Sequence, residues 1–167
     1  MIMNIIIITR CTFLLEVETM SGIAVVYASM TGNTEDMAIQ IVKGIKEEGF
    51  EPVVERVDDV KASDLAGYDG IVLGAYTWGD GELPDEFLDY FDDLDSVDLT
   101  GKKAAVFGSC DSSYSEYGVA VDILIAKLKD RGAEVVQEGL KVELTPGKAD
   151  KEKCVAFGKS FAQALRG

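Results

Sequence analysis

The chain has 167 residues, enough for one domain with a substantial core, and carries a formal charge of −14 with a pI near 4.3. That field repels nucleic acid and anionic membrane surfaces and attracts basic protein partners. With no histidine, Ser-His-Asp and Cys-His catalysis and histidine-ligated metal sites are excluded, and the cysteines (Cys11, Cys110, Cys154) form no C-x-x-C pair, which suits the reduced thiols of a cytoplasmic protein.

Residues 1–19 read unlike the rest. The stretch is apolar but broken by Arg10, Glu16 and Glu18, too short and too charged to span a bilayer, and without the basic start and small-residue cleavage site of a signal peptide. Leu15-Glu16-Val17 can be encoded around GGAGGTG, resembling a ribosome-binding site just upstream of an ATG for Met20. We therefore expect residues 1–19 to be a non-native or disordered leader and residues 20–167 to form the folded domain.

From Ser21 onward, strand and helix patterns alternate. Ile23–Ala28 predicts a buried strand. Thr34–Glu48 predicts a helix with Met37, Ala38, Ile41, Val42 and Ile45 on one face and Gly49 as its stop. Pro52–Val57 is strand two. Gly70–Ala75 is strand three, a continuous apolar run expected of a central strand. Pro84–Leu94 is a helix with Phe87, Leu88, Phe91 and Leu94 inward, and Lys103–Gly108 is strand four. Tyr117–Arg131 is a helix stopped by Gly132, with Val121, Leu124, Ile125 and Leu128 inward. Glu134–Leu144 holds strand five, and Lys151–Leu165 is the last helix, with Cys154, Phe157, Phe161 and Leu165 inward. The class is α/β: a doubly wound five-stranded parallel sheet, order 2-1-3-4-5, with helices on both faces.

That order brings the loops after strands one, three and four to one carboxyl edge. The first, Ser29-Met30-Thr31-Gly32-Asn33-Thr34, offers three hydroxyls, an amide, a glycine and backbone N–H groups at a helix start, with no Lys or Arg. It is a phosphate cradle made of neutral donors. The G-x-x-x-x-G-K-[ST] pattern is absent, so this is not a nucleotide-hydrolysing P-loop, and G-x-G-x-x-G is absent too. The second loop, Tyr76-Thr77-Trp78-Gly79-Asp80, holds the only tryptophan, placed to stack on a flat ligand or to plug the sheet end. The third, Ser109-Cys110-Asp111 through Tyr114 to Tyr117, adds two more aromatics. Cys110 has no nearby base and reads as a spectator thiol.

Ser-x-Thr-Gly-Asn-Thr, Thr-Trp-Gly-Asp and Gly-x-x-Asp-Ser-Ser-Tyr, in this order and spacing from Met20 to about Leu165, resemble the flavodoxin family. The uninterrupted last strand resembles its short-chain, bacterial subgroup. The resemblance implies the flavodoxin-like three-layer sandwich and one non-covalent FMN. Ser29, Met30, Thr31, Gly32, Asn33 and Thr34 would surround the phosphate, with Tyr76 and Thr77 close by. Trp78 and Tyr114 would sandwich the isoalloxazine ring, the backbone around Gly79, Cys110 and Asp111 would bond its polar edge, and Asp80, Ser109 and Tyr117 would also belong to the cofactor site. No catalytic residue and no metal is expected.

The implied function is a low-potential one-electron carrier between reductases and acceptor enzymes. The alternative is an FMN-dependent NAD(P)H quinone or azo reductase on the same fold. Between Ala62 and Gly101 there is no Lys or Arg, while Asp80, Glu82, Asp85, Glu86, Asp89, Asp92, Asp93, Asp95 and Asp98 crowd loop two and its helix. This predicts a docking face for basic-faced redox proteins: NADPH-dependent reductases and haem or iron-sulfur acceptors. The protein is expected to be a cytoplasmic monomer with no nucleic-acid or membrane partner.

Overall fold

A computed structural model describes residues 22–167; the expectation of a leader at residues 1–19 falls outside the described residues. The elements in chain order are β1 (Ile23–Tyr27), α1 (Asn33–Glu47), β2 (Val53–Arg56), β3 (Gly70–Gly74), α2 (Asp85–Asp93), β4 (Lys103–Cys110), α3 (Val119–Asp130), β5 (Glu134–Val135), β6 (Leu140–Glu143) and α4 (Lys148–Arg166). Short 3-10 turns at Val57–Asp59, Ala62–Gly67 and Leu94–Ser96 fill the connections. All strand pairs are parallel, in the order β2-β1-β3-β4-β5, with β6 also pairing β4.

Period-two alternation divides the central strands between two cores. Ala24, Val26, Ile71, Leu73, Ala104 and Val106 face one layer, which holds Phe87 and Tyr90 of α2 and Val121, Leu124 and Leu128 of α3. Ile23, Val25, Val72, Ala105 and Phe107 face the other, packed on Met37, Ile41 and Ile45 of α1 and Cys154, Phe157 and Phe161 of α4. Strands buried on both sides read as continuous apolar runs, which is why β1, β3 and β4 were so plain in the sequence.

Against α4, helix α1 packs main chain to main chain. A Cβ at Gly44 would overlap the Val155 carbonyl, and one at Gly158 would overlap that of Ile41. Ion pairs Lys159–Glu47 (2.8 Å) and Arg166–Glu48 (3.0 Å) rim the contact.

The last strand differs from expectation. Glu134–Leu144 is not one strand but two, β5 and β6. Between the pairs Ala104↔Val135 and Phe107↔Leu140, β4 advances three residues and its partner five, so two residues loop out as a bulge. The looped-out stretch includes Gly139, where an added Cβ would crowd the Val121 and Ile125 side chains of α3. Helix ends also move. Pro84 caps α2 in an extended conformation instead of entering it, α3 starts only after Gly118 at φ 66°, and α4 begins three residues early at Lys148. Leu88 is exposed, not inward, and Ile125 is half-buried.

Candidate functional site

The loops leave the sheet as extensions of its ladder. Ala28 N–H donates to the Gly74 carbonyl (2.9 Å), Ala75 N–H to Phe107 (3.1 Å) and Leu144 N–H to Cys110 (2.8 Å). The carboxyl edge is thereby held in step for one residue beyond the strands, and the loop origins are fixed before the loops diverge.

Loop one turns into α1 through Gly32, whose φ of 91° is left-handed and favours glycine. The Asp36 N–H donates to the Gly32 carbonyl (2.9 Å), closing the first helical turn. Ser29 is buried, and its Oγ accepts from the Glu35 N–H (3.2 Å). Thr34 and Ser109, both buried, share a hydroxyl–hydroxyl bond of 2.8 Å that ties loop one to the end of β4. Thr145 Oγ1 donates to Asn33 Oδ1 (3.1 Å), which adds the segment after β6. Among the described residues, a cation reaches this loop from outside it: Arg56 Nη2, from the end of β2, donates to the Ser29 carbonyl (2.9 Å). The hydroxyl-rich loop therefore contains no Lys or Arg but borrows a guanidinium from the neighbouring strand.

Loop two closes as a tight turn. Trp78 N–H donates to the Glu82 carbonyl (2.8 Å) and Glu82 N–H returns to Trp78 (2.9 Å). Gly79 and Gly81 both take positive φ, 51° and 105°. Trp78 is 45% exposed and meets Tyr76 edge-to-face, with ring centroids 6.3 Å apart. Burial, with help from the nearby Glu86 and Asp85 carboxylates, pushes the Tyr76 phenol up to about 12, so it stays protonated at neutral pH. Thr77 Oγ1 accepts from the Ala120 N–H (3.2 Å), capping the first turn of α3.

Loop three is held by its own side chains. Asp111 Oδ1 accepts from Ser113 N–H (2.9 Å) and Oγ (2.6 Å), which holds its carboxyl below the usual range. Glu143 Oε1 accepts from Ser112 N–H (3.1 Å) and Oγ (2.8 Å). Tyr114 stands 50% exposed. Cys110 is buried, and desolvation pushes its thiol up to about 11, the reverse of an activated nucleophile.

The three loops enclose one cavity of about 580 Å³. It is lined by Ser29, Met30, Thr31, Asn33 and Thr34 at one part and by Tyr76, Thr77, Trp78, Gly79, Ser109, Cys110, Asp111 and Tyr114 at the other. Gly32, Asp80 and Tyr117, also expected at the site, do not line it. Gly32 shapes the backbone instead, Asp80 sits in the turn of loop two, and Tyr117 is exposed beside α3. Two lining residues were not foreseen, Leu144 and Thr145. The Leu144 φ of 50° is rare for a branched residue and bends the chain after β6 toward the cavity. The only signal for this turn was Thr145-Pro146-Gly147, a common turn composition.

The donor chemistry suits a phosphorylated flat cofactor. Neutral hydroxyls and a helix N-terminus accommodate a phosphate, two exposed aromatics offer faces to a planar ring, and the volume falls within the range of small-ligand sites.

Comparison with known proteins gives a consistent result. The sequence profile described as Flavodoxin matches residues 25–158. A protein named probable flavodoxin 2 from Bacillus subtilis is 43% identical over 150 residues, covering 86% of this chain and 96% of its own. The flavodoxin of Maridesulfovibrio salexigens is 36% identical, covering 87% and 100%. The crystal structure of oxidised flavodoxin 1 from Bacillus cereus superposes with a TM-score of 0.84 at 62% identity, covering 86% of this chain and 98% of that one.

Proposed function

The chain belongs to the flavodoxin family, and on that premise we propose that the carboxyl-edge cavity is where its FMN sits and that the acidic face beside it is where its partners dock. The protein is an electron carrier with non-covalently bound FMN, not an enzyme. The relatives are named flavodoxins, and nothing among them favours the quinone or azo reductase alternative.

Bound FMN supplies the redox chemistry, since its ring takes up and returns electrons one at a time. The chain supplies position and field. Ser29, Thr31, Asn33 and Thr34, with the N-terminus of α1, would hold the phosphate. Trp78 and Tyr114 would cover the ring and exclude water. The Gly79–Asp80 peptide, in a turn that glycine eases, would offer its carbonyl to the ring's polar edge. Asp111 lines that end, Asp80 and Glu82 belong to the adjoining loop-two turn, and no Lys or Arg among the described residues lines the cavity. Added electrons therefore meet an unfavourable field, which makes the carrier a strong reductant.

The observation that carries this reading is that one cavity joins the hydroxyl loop at a helix start to the exposed Trp78 and Tyr114. The test is titration of FMN-free protein with FMN, followed by the visible spectrum and by quenching of the lone tryptophan. Stoichiometric binding that quenches Trp78 supports the assignment. A protein that binds FMN without quenching removes Trp78 from the ring site, and one that binds no FMN rejects the cavity.

For docking, Asp80, Glu82, Asp85, Asp89, Asp92 and Asp93 are exposed around loop two and α2. Asp95 is tied to Lys127, and Asp98 accepts from Thr100, so these two are less available. The free carboxylates would steer basic-faced reductases and haem or iron-sulfur acceptors into short encounters, with the chain acting as a monomer in the cytoplasm. No helix among the described residues is long and apolar enough to cross a membrane.

A further inference from the structure

We propose that Arg56 supports the phosphate end of the cavity, acting through Ser29 as a positioning residue; this rests on the assignment of FMN to that cavity. The parallel register sets Arg56 opposite Tyr27, so the last residue of β2 leaves the sheet beside the first loop. From there its Nη2 donates to the Ser29 carbonyl at 2.9 Å, and its guanidinium lies 5.8 Å from the centre of the Tyr27 ring. Tyr27 Oη donates to Glu35 Oε1 (3.1 Å), and the Glu35 N–H donates to Ser29 Oγ (3.2 Å). These contacts close a ring from Arg56 through Ser29, Glu35 and Tyr27 back to Arg56, and it grips both groups of Ser29.

Two consequences follow for an anion in the cavity. A trans peptide points its C=O and its following N–H in opposite directions. Holding the Ser29 carbonyl on the guanidinium therefore turns the Met30 N–H to the other side of the loop and occupies an oxygen that would repel a phosphate. The first turn of α1 also carries Glu35 and Asp36, whose charges oppose an anion at that helix start. The guanidinium is the cation that meets this charge; among the described residues it makes no ion pair of its own within 4 Å. Its influence extends to the Tyr76 phenol, where it opposes the upward push of burial.

The test compares FMN with riboflavin, which has the same ring and no phosphate. Full-length, flavin-free protein is titrated with each, for the unsubstituted chain, Arg56→Met and Arg56→Lys, at low and high NaCl. Arg56→Met should weaken FMN binding by roughly tenfold while riboflavin changes by less than about twofold, a charge-assisted contact being worth about that ratio. Arg56→Lys should recover part of the loss, because it keeps the charge but not the planar donor. The FMN gap between the unsubstituted chain and Arg56→Met should narrow at high salt. Equal weakening of both flavins would make Arg56 a fold contact only and overturns the proposal, as does unchanged FMN affinity. If the unsubstituted chain takes up neither flavin, the cavity assignment fails first and this inference with it.

Discussion

Replacing Gly44 with alanine should destabilise the protein, although in an open helix the same change stabilises. Alanine is favoured over glycine in a helix interior by about 1 kcal/mol. Here the new Cβ would overlap the Val155 carbonyl of α4. That wall is main chain and cannot rotate aside, so α1 and α4 must part, by roughly 1 Å, to reach ordinary contact. Overpacking a tight interface costs about 1–3 kcal/mol, and the rigid wall puts this case near the top. After the propensity gain, the net loss is about 2 kcal/mol. Urea unfolding of the flavin-free chain should show an unchanged slope and a midpoint lower by about 1 M, for a slope near 2 kcal/mol/M. Gly158→Ala meets the Ile41 carbonyl across the same contact, so the parting that relieves one relieves the other. The double variant should therefore lose clearly less than the sum of the singles. A Gly44→Ala midpoint equal to or above that of the parent would refute main-chain contact between these helices.

Trp78→Ala should weaken FMN binding by about tenfold, since stacking on one aromatic face is worth about 1–3 kcal/mol; equal affinity by visible-absorbance titration would exclude a stacking role. The buried Cys110 and Cys154 thiols are both pushed up to about 11 by desolvation. The folded chain keeps these protons where the unfolded chain has lost them, so stability is full below the ordinary thiol range near 9 and falls as pH rises toward about 11. The urea midpoint should decline over that window, less steeply in Cys154→Ala, and an identical decline in the variant would count against the assignment. Electron transfer to a basic-faced reductase should slow as NaCl is raised and in Asp85→Asn with Asp89→Asn, while FMN affinity stays constant; a salt-independent rate would remove the docking role of α2.

The legible parts of this protein were those that local chemistry writes into a few adjacent residues. Strands buried on two faces must be apolar throughout, so β1, β3 and β4 could be placed to within a residue or two. Hydroxyls and a glycine at a helix start stand in one run at Ser29–Thr34, so the loop that lines one part of the cavity could be picked out from the sequence. Leu88 reads as inward but is exposed, because periodicity in a nine-residue helix leaves the edge of the apolar face undefined. Val135, Val136, Leu140 and Val142 carry apolar residues across the break between β5 and β6, and only the pairing register with β4 reveals the bulge.

By itself the sequence determined the layer order, the three loops that share an edge and the acidic character of the flank, because each follows from residue type at short range. Tertiary structure decided what lies between distant segments: Thr34 on Ser109, Thr145 on Asn33, Gly44 against Val155 and Arg56 on Ser29. Periodicity states which face of an element is buried but not which residue on another element it meets. The cation at the hydroxyl loop could not be read from residues 29–34, since it arrives from the neighbouring strand, and strand register is a property of the whole sheet.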